Sequence, residues 1–104
     1  MSVAPPSDRN LEKHIRQSAV DSSNVIFTAH ARLRMRQRYI NDPMVLDVLR
    51  NGIMSTKPEP DMKHTGLKCR MLRYAAGIQV AVVVYVEYPA KDLLVVTVID
   101  VKKD

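Results

Sequence analysis

Cys69 is the only cysteine in 104 residues, so no internal disulfide can form and a packed core must hold the fold. Only three glycines occur, Gly52, Gly66 and Gly77, and none belongs to a glycine-rich loop. That excludes the usual phosphate cradle of nucleotide cofactors, and no cofactor is expected. The longest apolar run, Val80 to Val86, is far too short to cross a bilayer, so no membrane partner is expected. No apolar stretch follows a basic start as a signal peptide requires, and the expected setting is reducing and cytoplasmic. Internal repeats and low-complexity tracts are absent, and no acidic residue stands between Asn24 and Asn41.

What is present points to one domain with a basic surface. With 46% hydrophobic residues, a chain of this length can bury roughly 65% of the surface that its unfolded form exposes. Sixteen Lys and Arg against eleven Asp and Glu give a net charge of +5. Such an excess favours polyanionic partners through steering and counterion release.

Residues 1–24 read as a tail, Met1 to Ser7, followed by a short helix through Leu11, Ile15 and Ala19 with Asp8 or Asn10 as its cap. Residues 25–104 read as a single α+β domain. Val25 to Phe27 form a short strand or extended lead-in, and Thr28 caps a helix to about Arg38 or Tyr39. Asn41-Asp42-Pro43 restarts a second helix, with Gly52 at its C-terminal cap. Two prolines, Pro58 and Pro60, exclude a central strand from the following loop. Leu67 to Tyr74, Ile78 to Glu87 and Leu93 to Val101 then alternate as strands. Their short connections predict an antiparallel β-meander with the N-terminal helices covering one face.

The segment Phe27 to Arg38 sets one histidine among four arginines. At about 100° per residue, His30, Arg34 and Arg38 fall within roughly 80° of each other, bordering an apolar stripe of Ala31 and Met35. Arg32 and Arg36 fall on the far side, where solvent is expected. The stripe can hold a phosphate and move a proton beside it. It can equally lay its methylene stems over the core and pair with acids from elsewhere in the chain.

Strand parity offers a second surface. Lys68, Arg70, Leu72 and Tyr74 share one face of their strand, as Gln79, Tyr85 and Glu87 do of theirs. If the two faces coincide, Lys68, Arg70, Tyr74 and Tyr85 make a basic surface with rings for bases to stack on. The plainer alternative is an ordinary solvated sheet face.

No metal site is expected, because His14, His30, His64 and Cys69 lack the short paired spacings of zinc ligands. Cys69 reads as a small buried apolar residue, His64 as an exposed loop residue, and the six methionines as core filler. The last strand, apolar on both faces, suits either the centre of the sheet or an edge that meets another chain, as in a homodimer.

The run His30-Ala31-x-x-Arg34-Met35-x-Gln37-Arg38-x-Ile40 resembles the signature of a family of small bacterial and phage domains of unknown function. Lys68-Cys69-Arg70-Met71, Gly77 and Val95-Val96-Thr97-Val98 are similar to that family's strand motifs, so the resemblance spans Phe27 to Ile99. The family is grouped with the fold shared by barnase, the EndoU nucleases, the colicin tRNases and the RelE toxins, many of which cut RNA without a metal. The resemblance thus implies a RelE/barnase-like fold and a metal-independent ribonuclease, toxin-like and with an antitoxin or other protein as its partner. In such a site His30 would be base or acid, Arg34 and Arg38 would hold the phosphate, and Thr97 would donate to it. The second proton-transfer group is not evident. A non-catalytic module binding nucleic acid or a host protein on the same basic face is the alternative, and a structural or partner-binding fold is a third.

Overall fold

A computed structural model describes residues 6–104; the first five residues of the expected tail lie outside it. Helix α1 (Asp8–Ala19) is capped by Ser7, not by Asp8 or Asn10. Ser7 has extended backbone, so its Oγ can accept the Asn10 N–H at 3.1 Å, which leaves Asp8 in the first turn where its charge suits the helix dipole. A single 3₁₀ turn (Ser22–Asn24) leads into strand β1 (Val25–Phe27).

Helix α2 (Ala29–Arg38) starts at Thr28, whose Oγ accepts the Ala31 N–H at 3.0 Å, and ends as Tyr39 turns left-handed at φ 57°. Helix α3 (Asp42–Asn51) starts at Asn41, with Pro43 in its first turn, and stops at Gly52. Two short strands follow, β2 (Ile53–Met54) and β3 (Glu59–Pro60), then the long strands β4 (Leu67–Ala75), β5 (Ile78–Val86) and β6 (Leu93–Asp100). Pro60 sits at the sheet's periphery, where its missing N–H costs no ladder bond. Ala76 and Gly77, both at positive φ, make the tight link from β4 to β5 that a right-twisted hairpin needs.

The long strands form the predicted antiparallel meander, but the whole sheet is mixed and six-stranded, ordered β1-β6-β5-β4-β2 with β3 also on β4. The mixing comes from β1, which lies parallel to β6 at the start of that strand. Strand β6 lies between β5 and β1, but β1 covers only Leu93 to Val95, so the strand is interior at its start and keeps an open edge from Val96 onward.

Helices pack over one face of the sheet. Leu11 and Ile15 of α1, Ala31 and Met35 of α2, and Val45, Val48 and Leu49 of α3 share a core with Cys69, Met71, Val80, Val82, Val84, Leu93 and Val95. Fully burying each of the larger side chains contributes about 1.5–3 kcal/mol. Burial pushes the Cys69 thiol up to about 12, so it stays protonated and inert. Met35 and Met71 fill core positions as expected, whereas Met62 is wholly exposed in the loop before β4.

One irregularity controls the other face. Val84 pairs with Val95 but Val83 pairs with Thr97, so Val96 is an extra residue in β6. This bulge reverses the strand's alternation, letting both Val95 and Val98 enter the core while Thr97 turns outward beside Val83. Among the described residues no helix is long and apolar enough to cross a membrane.

Candidate functional site on the open sheet face

The register puts three rows across the face that the helices leave uncovered. Lys68, Tyr85, Leu94 and Ile26 align across β4, β5, β6 and β1. The next row is Arg70, Val83 and Thr97, and the third is Ile53, Leu72, Ala81 and Ile99. Tyr74 lies opposite Gln79 beyond them. The two strand faces considered from parity therefore coincide. Ile26, Ile53 and Tyr74 stand exposed on this face, while Ala81 is covered by its larger neighbours.

Two features make the surface more than a solvated face. Arg70 is half-buried, and its Nε is shut off from solvent with no acceptor. Buried polar groups are almost always paired, so no internal acceptor fixes this guanidinium in place. Tyr85 is held at both ends of its hydroxyl: it donates to Glu87 Oε1 at 2.7 Å and accepts the Gly66 N–H at 3.0 Å. Partial burial and the neighbouring Glu87 carboxylate raise its pKa, so the phenol keeps its proton.

Gly66 is what allows the loop before β4 to lie on that ring. A Cβ at this position would come within 2.5 Å of Tyr85 Cζ and 2.6 Å of the Val86 carbonyl oxygen, so only glycine fits. The loop carries His64 with it. The imidazole meets the Tyr85 ring edge-on, with centroids 5.8 Å apart, and its Nδ1 is 3.5 Å from Asp61 Oδ2. The Lys63 backbone N–H, with His64 and Lys68 nearby, holds the Asp61 carboxyl below its usual range despite some desolvation. Asp61, His64, Lys68, Arg70, Tyr85 and Glu87 thus join cations, a carboxylate-oriented imidazole and a fixed phenol in one place. His64, read from sequence as a merely exposed loop residue, is exposed but not isolated.

The helix stripe is arranged differently. His30, Arg34 and Arg38 do share a face of α2, but both arginines turn to one carboxylate, that of Asp104. Arg34 Nη2 lies 2.5 Å from Oδ2, and Arg38 Nε donates to Oδ1. Desolvation works against the Asp104 charge, but the bonds and charges of Arg38 and Arg34 outweigh it and hold the carboxyl below its usual range. His30 is exposed and makes no hydrogen bond or ion pair among the described residues. Thr97 is not brought to these three: it faces outward beside Val83 and joins the row of Arg70. Arg32 and Arg36 are exposed as expected, and Arg32 also forks onto Asp42 and lies 4.0 Å over the Phe27 ring.

Sequence reasoning missed Asp61, His64 and Gly66 as site residues. The short spacing Asp61-x-x-His64-x-Gly66 was their only local trace. It gains meaning only from Tyr85, which pairs with Lys68 across the sheet.

No curated protein and no solved structure matches the chain. Residues 27–100 do match a family described as a domain of unknown function, DUF4258, which covers most of the chain, so this protein belongs to that family.

Proposed function

We propose that the protein acts on single-stranded RNA laid across the open face of its sheet, and that it cleaves the RNA as a small metal-independent endoribonuclease. The observation that carries the reading is that Lys68 and Arg70 form no ion pair among the described residues and stand in neighbouring rows beside Tyr85. Phosphates pair with these two cations, and bases stack on Tyr85 and Tyr74. A RelE/barnase-like fold is part of the same proposal, supported by helices on one side and a basic open sheet on the other.

In this reading the neutral His64 imidazole, oriented by Asp61, takes the proton of a 2′-hydroxyl. The 2′-oxygen bonds to phosphorus as the bond from phosphorus to the 5′-oxygen breaks. Lys68 and Arg70 carry the negative charge that builds on the phosphate oxygens, and Thr97 donates to one of them. A proton from solvent goes to the departing 5′-oxygen, leaving a 2′,3′-cyclic phosphate and a 5′-hydroxyl, while Tyr85 keeps its proton, hydrogen-bonded to Glu87, and holds the loop that carries His64. Acting on cellular RNA places the protein in the cytoplasm, where a toxin-like role calls for an antitoxin as partner.

A fluorogenic RNA with chelator present tests this directly. Cleavage that yields cyclic-phosphate ends and is lost in His64→Ala and Tyr85→Phe supports the reading; an intact substrate under all conditions removes it. Binding without cleavage is the second reading, favoured by the openness of the site, where the His64 side chain is 62% exposed. Salt-dependent RNA binding by a protein that leaves the RNA whole would select it.

A further inference from the structure

The row Lys68, Tyr85, Leu94, Ile26 ends in a cavity of about 290 Å³ lined by Ile26, Tyr85, Glu87, Ala90, Asp92 and Leu94. Its floor is apolar and flat, formed by one aromatic ring and two aliphatic side chains from neighbouring strands. Its size is at the lower end for small-ligand pockets, about 300 Å³ and upward. The rim holds two carboxylates, Glu87 and Asp92, from the end of β5 and the turn into β6. We infer that this cavity is a base-recognition pocket that selects guanine from the RNA on the open face, an inference that rests on the function proposed above.

Charge sorting decides which part of a nucleotide enters. Carboxylates repel phosphate, so the backbone stays over Lys68 and Arg70 and the uncharged base takes the cavity. A platform of Tyr85 with Leu94 and Ile26 suits the π-face of any base, and the choice among bases falls to the rim. Ionised carboxylates only accept hydrogen bonds. Guanine is the one common base whose pairing edge presents two adjacent donors, N1–H and the 2-amino group, to a carboxylate. Adenine and cytosine each set a ring-nitrogen lone pair beside their amino group, and uracil flanks its single N–H with carbonyl oxygens. These bring acceptors against acceptors and lose affinity.

Glu87 is the better placed of the two acids. Its Oε1 already accepts from Tyr85, which fixes the carboxylate at the pocket wall, and the rest of the group is free to meet the base. Tyr85 thereby serves both as platform and as support for the reading group. Gly66 completes the arrangement by donating its N–H to the same hydroxyl.

The test uses guanosine and adenosine, which carry no phosphate, titrated into the isotopically labelled full chain. Guanosine is expected to shift the signals of Ile26, Tyr85 and Leu94, and adenosine at equal concentration to leave them in place. Short oligouridines with one internal guanine should bind about tenfold more tightly than those with adenine there. Glu87→Gln keeps an oxygen for the Tyr85 bond and Asp92→Asn keeps its size, so both retain the fold, verified by their spectra. Each should reduce the preference, and together they should bring it within about twofold of parity. Equal shifts from both nucleosides, or a preference that survives both substitutions, would overturn the inference. RNA binding with no base preference would also overturn it while leaving the RNA reading intact. Guanosine-selective shifts without RNA binding would uphold the pocket and remove that reading instead.

Discussion

Two cationic regions of this molecule look alike in charge and differ in what answers the charge. On α2, Arg34 and Arg38 close on the carboxylate of Asp104, a partner supplied by the chain itself. On the open sheet face, Lys68 and Arg70 form no ion pair among the described residues. A matched pair of guanidiniums has spent its hydrogen bonds on structure, whereas an unmatched one offers them to a ligand. The region with fewer arginines is therefore the stronger site candidate.

The largest effect that separates the regions is on chemistry. His64→Ala should lower single-turnover RNA cleavage by about 10²–10⁴-fold, whereas His30→Ala should change it by less than about threefold. A larger loss from the His30 variant would transfer the site back to the helix. Next comes binding. Replacing Lys68 and Arg70 by alanine should weaken RNA affinity at least about tenfold and flatten the log–log salt dependence by roughly 1.4, the share of two phosphate contacts on a single strand. Arg34→Gln with Arg38→Gln should leave that slope nearly unchanged, and an equal flattening would erase the distinction.

A smaller effect tests the loop that joins the two chemistries of the open face. Gly66→Ala forces the loop off Tyr85, because the new methyl has no room beside the ring and the Val86 carbonyl. Cleavage should fall about 10- to 100-fold, since displacing an acid–base group by about an ångström is enough for that. RNA affinity should change little, measured by titration at fixed salt.

The smallest effect concerns the matched pair. Asp104→Asn should lower Tm by about 2–5 °C near neutral pH without weakening RNA binding. The Asp104 carboxyl titrates below its usual range in the folded protein, so its contribution is complete above that range. It is lost as pH falls through the lowered value, and the Tm difference between wild type and Asp104→Asn should vanish there. A difference that persists in acid would mean that the arginine pair does not depend on the charge of Asp104.

Local patterns determined much of the fold. Thr28, Asn41 and Gly52 act as caps because their chemistry needs only the next few residues, and apolar spacing marked the faces that helices and strands bury. The parity of β4 and β5 likewise put Lys68, Arg70, Tyr74 and Tyr85 on matching faces, and the regular register between these two strands preserves it. A resemblance to a domain of unknown function was legible in the sequence, and residues 27–100 match such a family, although Leu11, Ile15 and Ala19, which precede the matched residues, belong to the same core.

Tertiary structure decided what those surfaces are for. The neutralising partner of Arg34 and Arg38 lies 70 and 66 residues away, beyond the reach of any helical wheel. The bulge at Val96 turned Thr97 from the helix side to the face of Arg70, a reversal that alternation alone cannot anticipate. His64 acquired partners only when Gly66 let its loop rest on Tyr85. Short-range sterics and hydrogen bonding fixed the elements, and it was long-range pairing that settled which charges were matched and which were left open.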